Sequence, residues 1–213
     1  MLTLYDYLPS QNAWKIRLLL NHLGLPHRTV QVSIFEGEGQ SEAFRRINPT
    51  GKVPAIELDD GRTLAESNAI LAFLADGSRY LPTDRFDRAR VHQWLHFEQE
   101  NIESVIGALR HWTLTGKLSR RSPDLVAAKR AAGLRSLAIL ESELSSRPFI
   151  AGDDYTIADM SIFGYCSRAE EAGLSLEAFP KVRAWIARVE AQEGFNAGVH
   201  PYSIDPHSTR ELP

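Results

Sequence analysis

The chain is 213 residues long and carries 24 Lys and Arg against 27 Asp and Glu, for a formal net charge of -3. That balance offers no basic field to hold a nucleic-acid backbone, and no apolar run approaches the ~20 residues of a membrane helix, so the expected partners are small molecules or protein. The single cysteine, Cys166, excludes an internal disulfide and a Cys-x-x-Cys redox pair and fits a reducing compartment. Residues 1–6 show no basic leader with an apolar core, so the cytoplasm is the expected location. The length suits one or two compact domains that bury roughly 70% of the unfolded chain's surface.

In chain order, the pattern predicts a short strand at 2–5, then a helix over 12–23 with Ile16, Leu19, Leu20 and Leu23 on one face and Gly24 as its stop. A second strand is expected at 27–32 and a third at 55–58. Asp59-Asp60-Gly61-Arg62 signals a hairpin into a fourth, and a helix spans 66–75. Strand, helix, strand, short helix, two strands, helix is the order of a thioredoxin-like α/β layer, assigned to 1–76. Residues 77–84, rich in Gly, Ser, Pro and Thr, read as a linker. From 85 to 213 the chain reads as an all-helical domain. One apolar stripe runs through Val91, Trp94, Leu95, Ile102, Val105, Ile106 and Leu109, and another through Leu134, Leu137, Leu140 and Leu144. Ser122-Pro123-Asp124 starts a helix with proline at its first position. Tyr155-Thr156-Ile157-Ala158-Asp159-Met160 is a capping box, with Thr156 and Asp159 satisfying each other's end of the helix.

The chemistry-bearing stretch is Asn48-Pro49-Thr50-Gly51-Lys52-Val53-Pro54-Ala55-Ile56, followed by Leu64-Ala65-Glu66-Ser67-Asn68-Ala69-Ile70. A proline inside an apolar, β-branched run cannot donate to a central ladder, so Val53-Pro54 is an edge, a turn or a cis bond. A cis bond would turn the Val53 N-H and C=O outward together, ready to pair with an extended peptide as an added strand would. Ser67 opens a helix whose first N-H groups, dipole and hydroxyl favour a carboxylate. The plainer reading is that Pro54 only ends an edge strand and Ser67 only caps a helix.

These residues resemble the glutathione-binding half of the cytosolic glutathione transferases, and the likeness extends over essentially the whole chain. The capping box and Phe179-Pro180-Lys181-Val182-Arg183-Ala184-Trp185 resemble two helices of that family's helical domain. The resemblance implies that Val53, before a cis Pro54, holds the cysteinyl backbone of glutathione. It implies further that Ser67 takes the γ-glutamyl carboxylate while Glu66 pairs with the γ-glutamyl ammonium. Lys52 is expected near a glutathione carboxylate and Gln40 near the glycyl end. Glutathione is then a co-substrate rather than a resident cofactor, and a homodimer is implied.

A free thiol with a pKa near 8.5 is only about 3% thiolate at pH 7, and lowering that pKa by about 2 units raises the fraction to roughly 75%. One hydroxyl or amide aimed at the sulfur can supply the roughly 2.7 kcal/mol required. The resemblance puts that donor in Tyr7-Leu8-Pro9-Ser10-Gln11-Asn12, between the first strand and the first helix. Ser10 looks like the serine of the theta and delta classes and is the first candidate. Asn12 is the second, similar to the asparagine of a bacterial Thr-Pro-Asn turn, and Tyr7 is the third, near the donor of the tyrosine classes. Serine and asparagine in such places also serve simply as helix caps. The Ser10 likeness points to conjugation and the Asn12 likeness to disulfide reduction. The turn lacks the cysteine of the omega and beta classes, which disfavours glutathionyl exchange through an enzyme thiol.

The electrophile pocket is expected between the halves, walled by Trp14, His111, Trp112 and Phe163, although aromatic residues at helical spacing are more often core. His92 and His96 have metal-binding spacing without a third ligand, so no metal is expected. Cys166, in an apolar helix, reads as an inert buried thiol. The reaction expected is attack of the glutathione thiolate on a small electrophile, or reduction of a peroxide or disulfide by two glutathiones. A non-catalytic binding module on the same fold is the rival from another class. Retention on glutathione without turnover would identify it.

Overall fold

The computed structural model describes every residue except 197. The chain forms two compact units, Met1–Asp76 together with Gly194–Pro213, and Gly77–Glu193.

The first unit is the expected thioredoxin-like layer. Strand β1 (Leu2–Asp6) leads through helix α1 (Gln11–His22) to β2 (His27–Gln31), followed by helix α2 (Glu42–Ile47), β3 (Ala55–Glu57), β4 (Thr63–Ala65) and α3 (Ser67–Ala75). The sheet order is β2-β1-β3-β4, with β1 and β2 parallel and both pairings of β3 antiparallel. Leu4 is fully buried on β1. The next residue, Tyr5, points to the opposite face, as strand alternation requires, and meets Phe44 of α2 edge-on with centroids 5.7 Å apart. Helix α1 packs against α3. The step from β1 into α1 is pinned by a buried ion pair in which Arg17 Nη1 donates to both oxygens of Asp6, at 2.6 and 2.7 Å, while Nη2 donates to Leu8 O at 3.0 Å. Removing one partner of such a pair leaves the other charge uncompensated, at a cost of about 3–5 kcal/mol.

The last stretch departs from the expected division. Residues 194–213 belong to the first unit, so the helical unit ends at Glu193 and not at the C-terminus. The reason is local bonding: Trp14 Nε1 donates to Asn196 O at 3.0 Å, Phe195 packs edge-on against Trp14, and Asn21 Nδ2 donates to Gly194 O at 2.6 Å. Tyr7 OH donates to Asp205 Oδ2 at 3.0 Å, and His207 Nε2 lies 3.2 Å from Glu36 Oε1. Among its described residues this tail is non-helical apart from a short 3-10 turn at Tyr202–Ile204.

The second unit comprises α4 (Arg85–Phe97), a π-helical stretch over Glu98–Gly107, α5 (Ala108–Leu114), α6 (Pro123–Glu143), α7 (Ile157–Cys166) and α8 (Pro180–Glu190). Residues 77–84 are part of its packing and not a free linker. Tyr80 and Leu81 are buried, the Tyr80 ring meets Tyr155 edge-on, and Tyr80 O accepts from Ile157 N. Helix α6 engages carbonyls of the π stretch, with Ser136 Oγ donating to Asn101 O at 2.9 Å and Lys129 Nζ donating to Ser104 O at 2.6 Å. Ser122 caps α6 with Pro123 in its first turn, as expected. Leu137 and Leu140 of α6 and Leu144 at its C-cap are buried, whereas Leu134 is exposed. Cys166 is buried in α7. Among the described residues no helix is long and apolar enough to cross a membrane.

The capping box at α7 is present and reaches further than its own helix. Asp159 Oδ2 accepts from Thr156 N and Oγ1, while Oδ1 accepts from Ile150 N at 2.9 Å and Trp185 Nε1 at 2.9 Å. One carboxylate therefore ties the preceding loop, α7 and α8 together. Complete burial outweighs these donors and pushes its pKa up to about 6 from 3.8. A carboxyl raised in the folded state stabilises fully below its unfolded pKa and loses that contribution as pH rises through its folded pKa. Relative to Asp159→Asn, which does not titrate, the wild type is expected to lose roughly 2–3 kcal/mol between pH 4 and 7. Urea unfolding of both proteins across that range checks this, and a wild-type advantage that grows with pH contradicts it.

Candidate functional site

The sheet register gathers the site. Tyr5 pairs with Ala55, and Ala55 pairs with Ala65 on its other side. Continuing both antiparallel registers by two residues brings Tyr7, Val53 and Ser67 to one end of the sheet, because antiparallel partners advance in opposite directions. That end therefore collects the turn into α1, the loop into β3 and the start of α3. A hydrogen bond closes the group: Ser67 Oγ donates to Asn12 Oδ1 at 3.3 Å.

The Val53-Pro54 bond is cis. No described residue hydrogen-bonds the Val53 backbone, so its N-H and C=O are available to an extended peptide. The loop before it is held from within by the buried Asn48, whose Nδ2 donates to Lys52 O at 2.7 Å and whose Oδ1 accepts from Thr50 N and Oγ1. The same loop crosses the 38–40 turn where two glycines meet. A Cβ on Gly51 (φ +70°) would stand 2.6 Å from Gly39 O and from Gln40 Nε2, so only glycine fits. Gln40 thus lies against Gly51, beside the exposed Lys52, and its Oε1 accepts from Arg45 Nη2 at 2.6 Å.

Glu66 has φ 66° and ψ 115° and is the one non-glycine residue with positive φ among the described residues. Such a conformation costs about 1–3 kcal/mol and clusters at ligand clamps. The Glu66 side chain is exposed and makes no capping bond to α3. Ser67, next to it, is buried and forms the first residue of α3. The pair thus presents a free carboxylate and a helix start side by side, the two polarities that an amino acid's ammonium and carboxylate require.

The three candidate donors fall into different environments. Ser10 caps α1, its Oγ accepting from Ala13 N at 3.2 Å, and this bond leaves its hydroxyl hydrogen uncommitted. Asn12 Oδ1 receives Lys15 Nζ at 2.9 Å as well as Ser67 Oγ. An ammonium only donates, so the atom beside it is the amide oxygen, and Nδ2 is the end turned away from Lys15. Tyr7 is committed elsewhere. A phenol has one hydrogen to give, and this one goes to Asp205; burial first, then that carboxylate, raise the Tyr7 pKa far above its usual value.

Sequence reasoning passed over Lys15, which is 0% exposed. It reads as an ordinary helical lysine, and the available signal was its position between two core residues, Trp14 and Ile16, three residues after Asn12. Two proposed pocket walls are corrected. Trp14 and Phe163 are 1% and 3% exposed; the first packs on Phe195 and the second on Trp185, so neither offers a face to a ligand. His111 and Trp112 are half-buried on α5. Lys117 Nζ lies 3.3 Å from His111 Nε2, and Arg121 and Lys129 stand over the Trp112 ring at 5.1 and 5.7 Å.

A thioredoxin-like sheet with a cis-proline edge beside a helix start, followed in the chain by a helical unit, defines the class of fold. Residues 9–76 match the glutathione S-transferase N-terminal domain and residues 123–188 the glutathione S-transferase C-terminal domain. The chain is 27% identical over 199 residues to the disulfide-bond oxidoreductase YfcG of Escherichia coli, covering 90% of this chain and 91% of that protein. It is 31% identical over 198 residues to glutathione S-transferase theta-2 of Mus musculus, covering 89% and 81%. A glutathione S-transferase crystal structure from Pseudomonas fluorescens superposes with a TM-score of 0.90 at 38% identity, covering 93% of this chain and 99% of that one. The chain belongs to the glutathione S-transferase family.

Tyr7→Phe is expected to cost about 1–3 kcal/mol of stability, the value of a hydrogen bond to a charged acceptor. Its glutathione affinity should equal that of the wild type. Urea unfolding and calorimetry check both, and lost affinity with unchanged stability would return Tyr7 to the site.

Proposed function

We propose that the first unit binds glutathione and activates its thiol for attack on a small electrophile. The cysteinyl backbone pairs with Val53 beside Pro54, the γ-glutamyl carboxylate takes the Ser67 N-H at the start of α3 together with the hydroxyl hydrogen that Ser67 otherwise gives to Asn12, and Glu66 takes the γ-glutamyl ammonium. Lys52 and Gln40 lie toward the glycyl end. The sulfur faces the Ser10 to Asn12 turn, with Asn12 Nδ2 as its principal donor and Ser10 beside it. The observation that carries this reading is the placement of Asn12, whose oxygen is held by Ser67 and Lys15 while its amide nitrogen is turned away from Lys15. A donor that bonds the charged thiolate more strongly than the neutral thiol lowers the thiol pKa. The protein acts as a homodimer in the cytoplasm, with glutathione as its co-substrate.

A second reaction on the same site is favoured by the Asn12 assignment and by the similarity to a disulfide-bond oxidoreductase. In it the thiolate attacks one sulfur of a disulfide and expels a thiolate, and a second glutathione attacks the mixed disulfide. Two glutathiones are thereby oxidised to glutathione disulfide, and the substrate disulfide is reduced to two thiols.

Ser67→Ala should weaken glutathione binding by about 1–3 kcal/mol in calorimetry, and unchanged affinity would remove Ser67 from the site. Asn12→Ala should raise the pKa of bound glutathione by about 1–2 units, read from ultraviolet thiolate absorbance against pH, and lower turnover near pH 7 roughly 3- to 25-fold. Ser10→Ala should shift that titration less. If Ser10→Ala shifts the titration and Asn12→Ala does not, the serine is the donor. Glutathione binding without turnover of aryl halides, peroxides or disulfides would identify a binding module.

A further inference from the structure

We propose that Lys15 is a positioning residue for the glutathione thiolate, acting through Asn12; the inference rests on the reading of Asn12 as the sulfur donor. Lysine is almost never fully buried unless it is engaged. Here the ammonium of a residue 0% exposed reaches Asn12 Oδ1 at 2.9 Å. The i,i+3 spacing on α1 puts the two side chains on one face of the helix.

An asparagine facing a sulfur has two orientations of nearly equal shape. With Nδ2 toward the sulfur it donates to a thiolate, and with Oδ1 toward the sulfur it repels one. Ser67 cannot choose between them, because a hydroxyl bonds either end of the amide. Lys15 can choose, because an ammonium accepts nothing. Its contact fixes the oxygen inward and turns the donor end away from Lys15. It also polarises the amide in the direction that strengthens the N-H bonds, as hydrogen-bonded chains do.

Within this unit the surrounding charges leave that function to Lys15. Helix α3, packed against α1, carries no charged side chain. Asp6 at the end of β1 is bonded twice by Arg17, and Asp205 of the C-terminal tail accepts from Tyr7. Glu66 is exposed at the approach to α3. Among these, Lys15 is the group whose amine touches the Asn12 amide.

The test is the ultraviolet titration of bound glutathione in Lys15→Met, Lys15→Arg, Asn12→Ala and the Lys15→Met/Asn12→Ala double variant, with affinity measured by calorimetry on the full chain. Lys15→Met should raise the thiol pKa by about 1 unit, lowering the thiolate fraction near pH 7 about threefold, from roughly 75% to roughly 25%. Its affinity for S-methylglutathione, which has no thiol to ionise, should stay within about threefold. Lys15→Arg retains a group that only donates and should recover most of the shift. The double variant should titrate like Asn12→Ala alone, the non-additivity expected when one residue acts through another. The proposal is overturned if Lys15→Met titrates like the wild type, or if it shifts the titration equally with and without Asn12. Should Lys15→Met not fold, a folded Lys15→Arg that titrates like Asn12→Ala overturns it as well. Failure of the underlying reading shows separately, as a wild type that does not bind glutathione or an Asn12→Ala variant with an unshifted titration.

Discussion

Three residues of β3 determine where everything else in the site lies. Ala55–Glu57 pairs antiparallel with β1 on one side and with β4 on the other. Antiparallel pairing on both flanks sends the end of β1, the beginning of β3 and the end of β4 to the same edge of the sheet. The turn carrying Ser10 and Asn12, the cis Val53-Pro54 bond and the Glu66-Ser67 step are neighbours for that reason, although 55 residues separate Asn12 from Ser67. A one-residue slip in either pairing would turn this cluster to the other face.

The register is supported by polar groups that have no direct part in chemistry. Asp6 and Arg17 fix the exit from β1, Asn48 shapes the loop before Val53, and the meeting of Gly39 with Gly51 lets two turns cross where any side chain would collide. Among the described residues one non-glycine position has positive φ, Glu66, at the point where a carboxylate is turned outward beside the start of α3. The helical unit has its own anchor in Asp159, a buried carboxylate with four donors. Each unit is thus organised around one buried acid whose partners span several elements.

Much of the first unit could be read from the sequence because its signals are local. Gly24 stops α1, Asp60-Gly61 turns the hairpin, and proline after valine at the head of a strand has few conformations open to it. Thr156 and Asp159 announced their capping box for the same reason. What stayed hidden depends on contacts between distant residues. Nothing near Tyr7 in sequence says that Asp205 takes its hydroxyl, and nothing near Trp14 says that Asn196 and Phe195 cover it. The tail packs with the first unit through such contacts, and composition does not report which surface a non-helical segment lies on. Resemblance ranks Ser10 ahead of Asn12 as the donor, and residue type alone does not separate them because both cap helices. Ser10 does cap α1, while the orientation of Asn12 depends on Lys15, a residue whose burial no local pattern revealed.

A crystal structure of the protein with glutathione bound tests the central claim most directly. The cysteinyl N-H and C=O are expected to pair with the Val53 backbone, the γ-glutamyl carboxylate to lie at Ser67, and the sulfur to lie within hydrogen-bond reach of Asn12 Nδ2. A tripeptide bound away from Val53, or a sulfur facing Tyr7 with Asn12 Oδ1 turned toward it, would contradict the account.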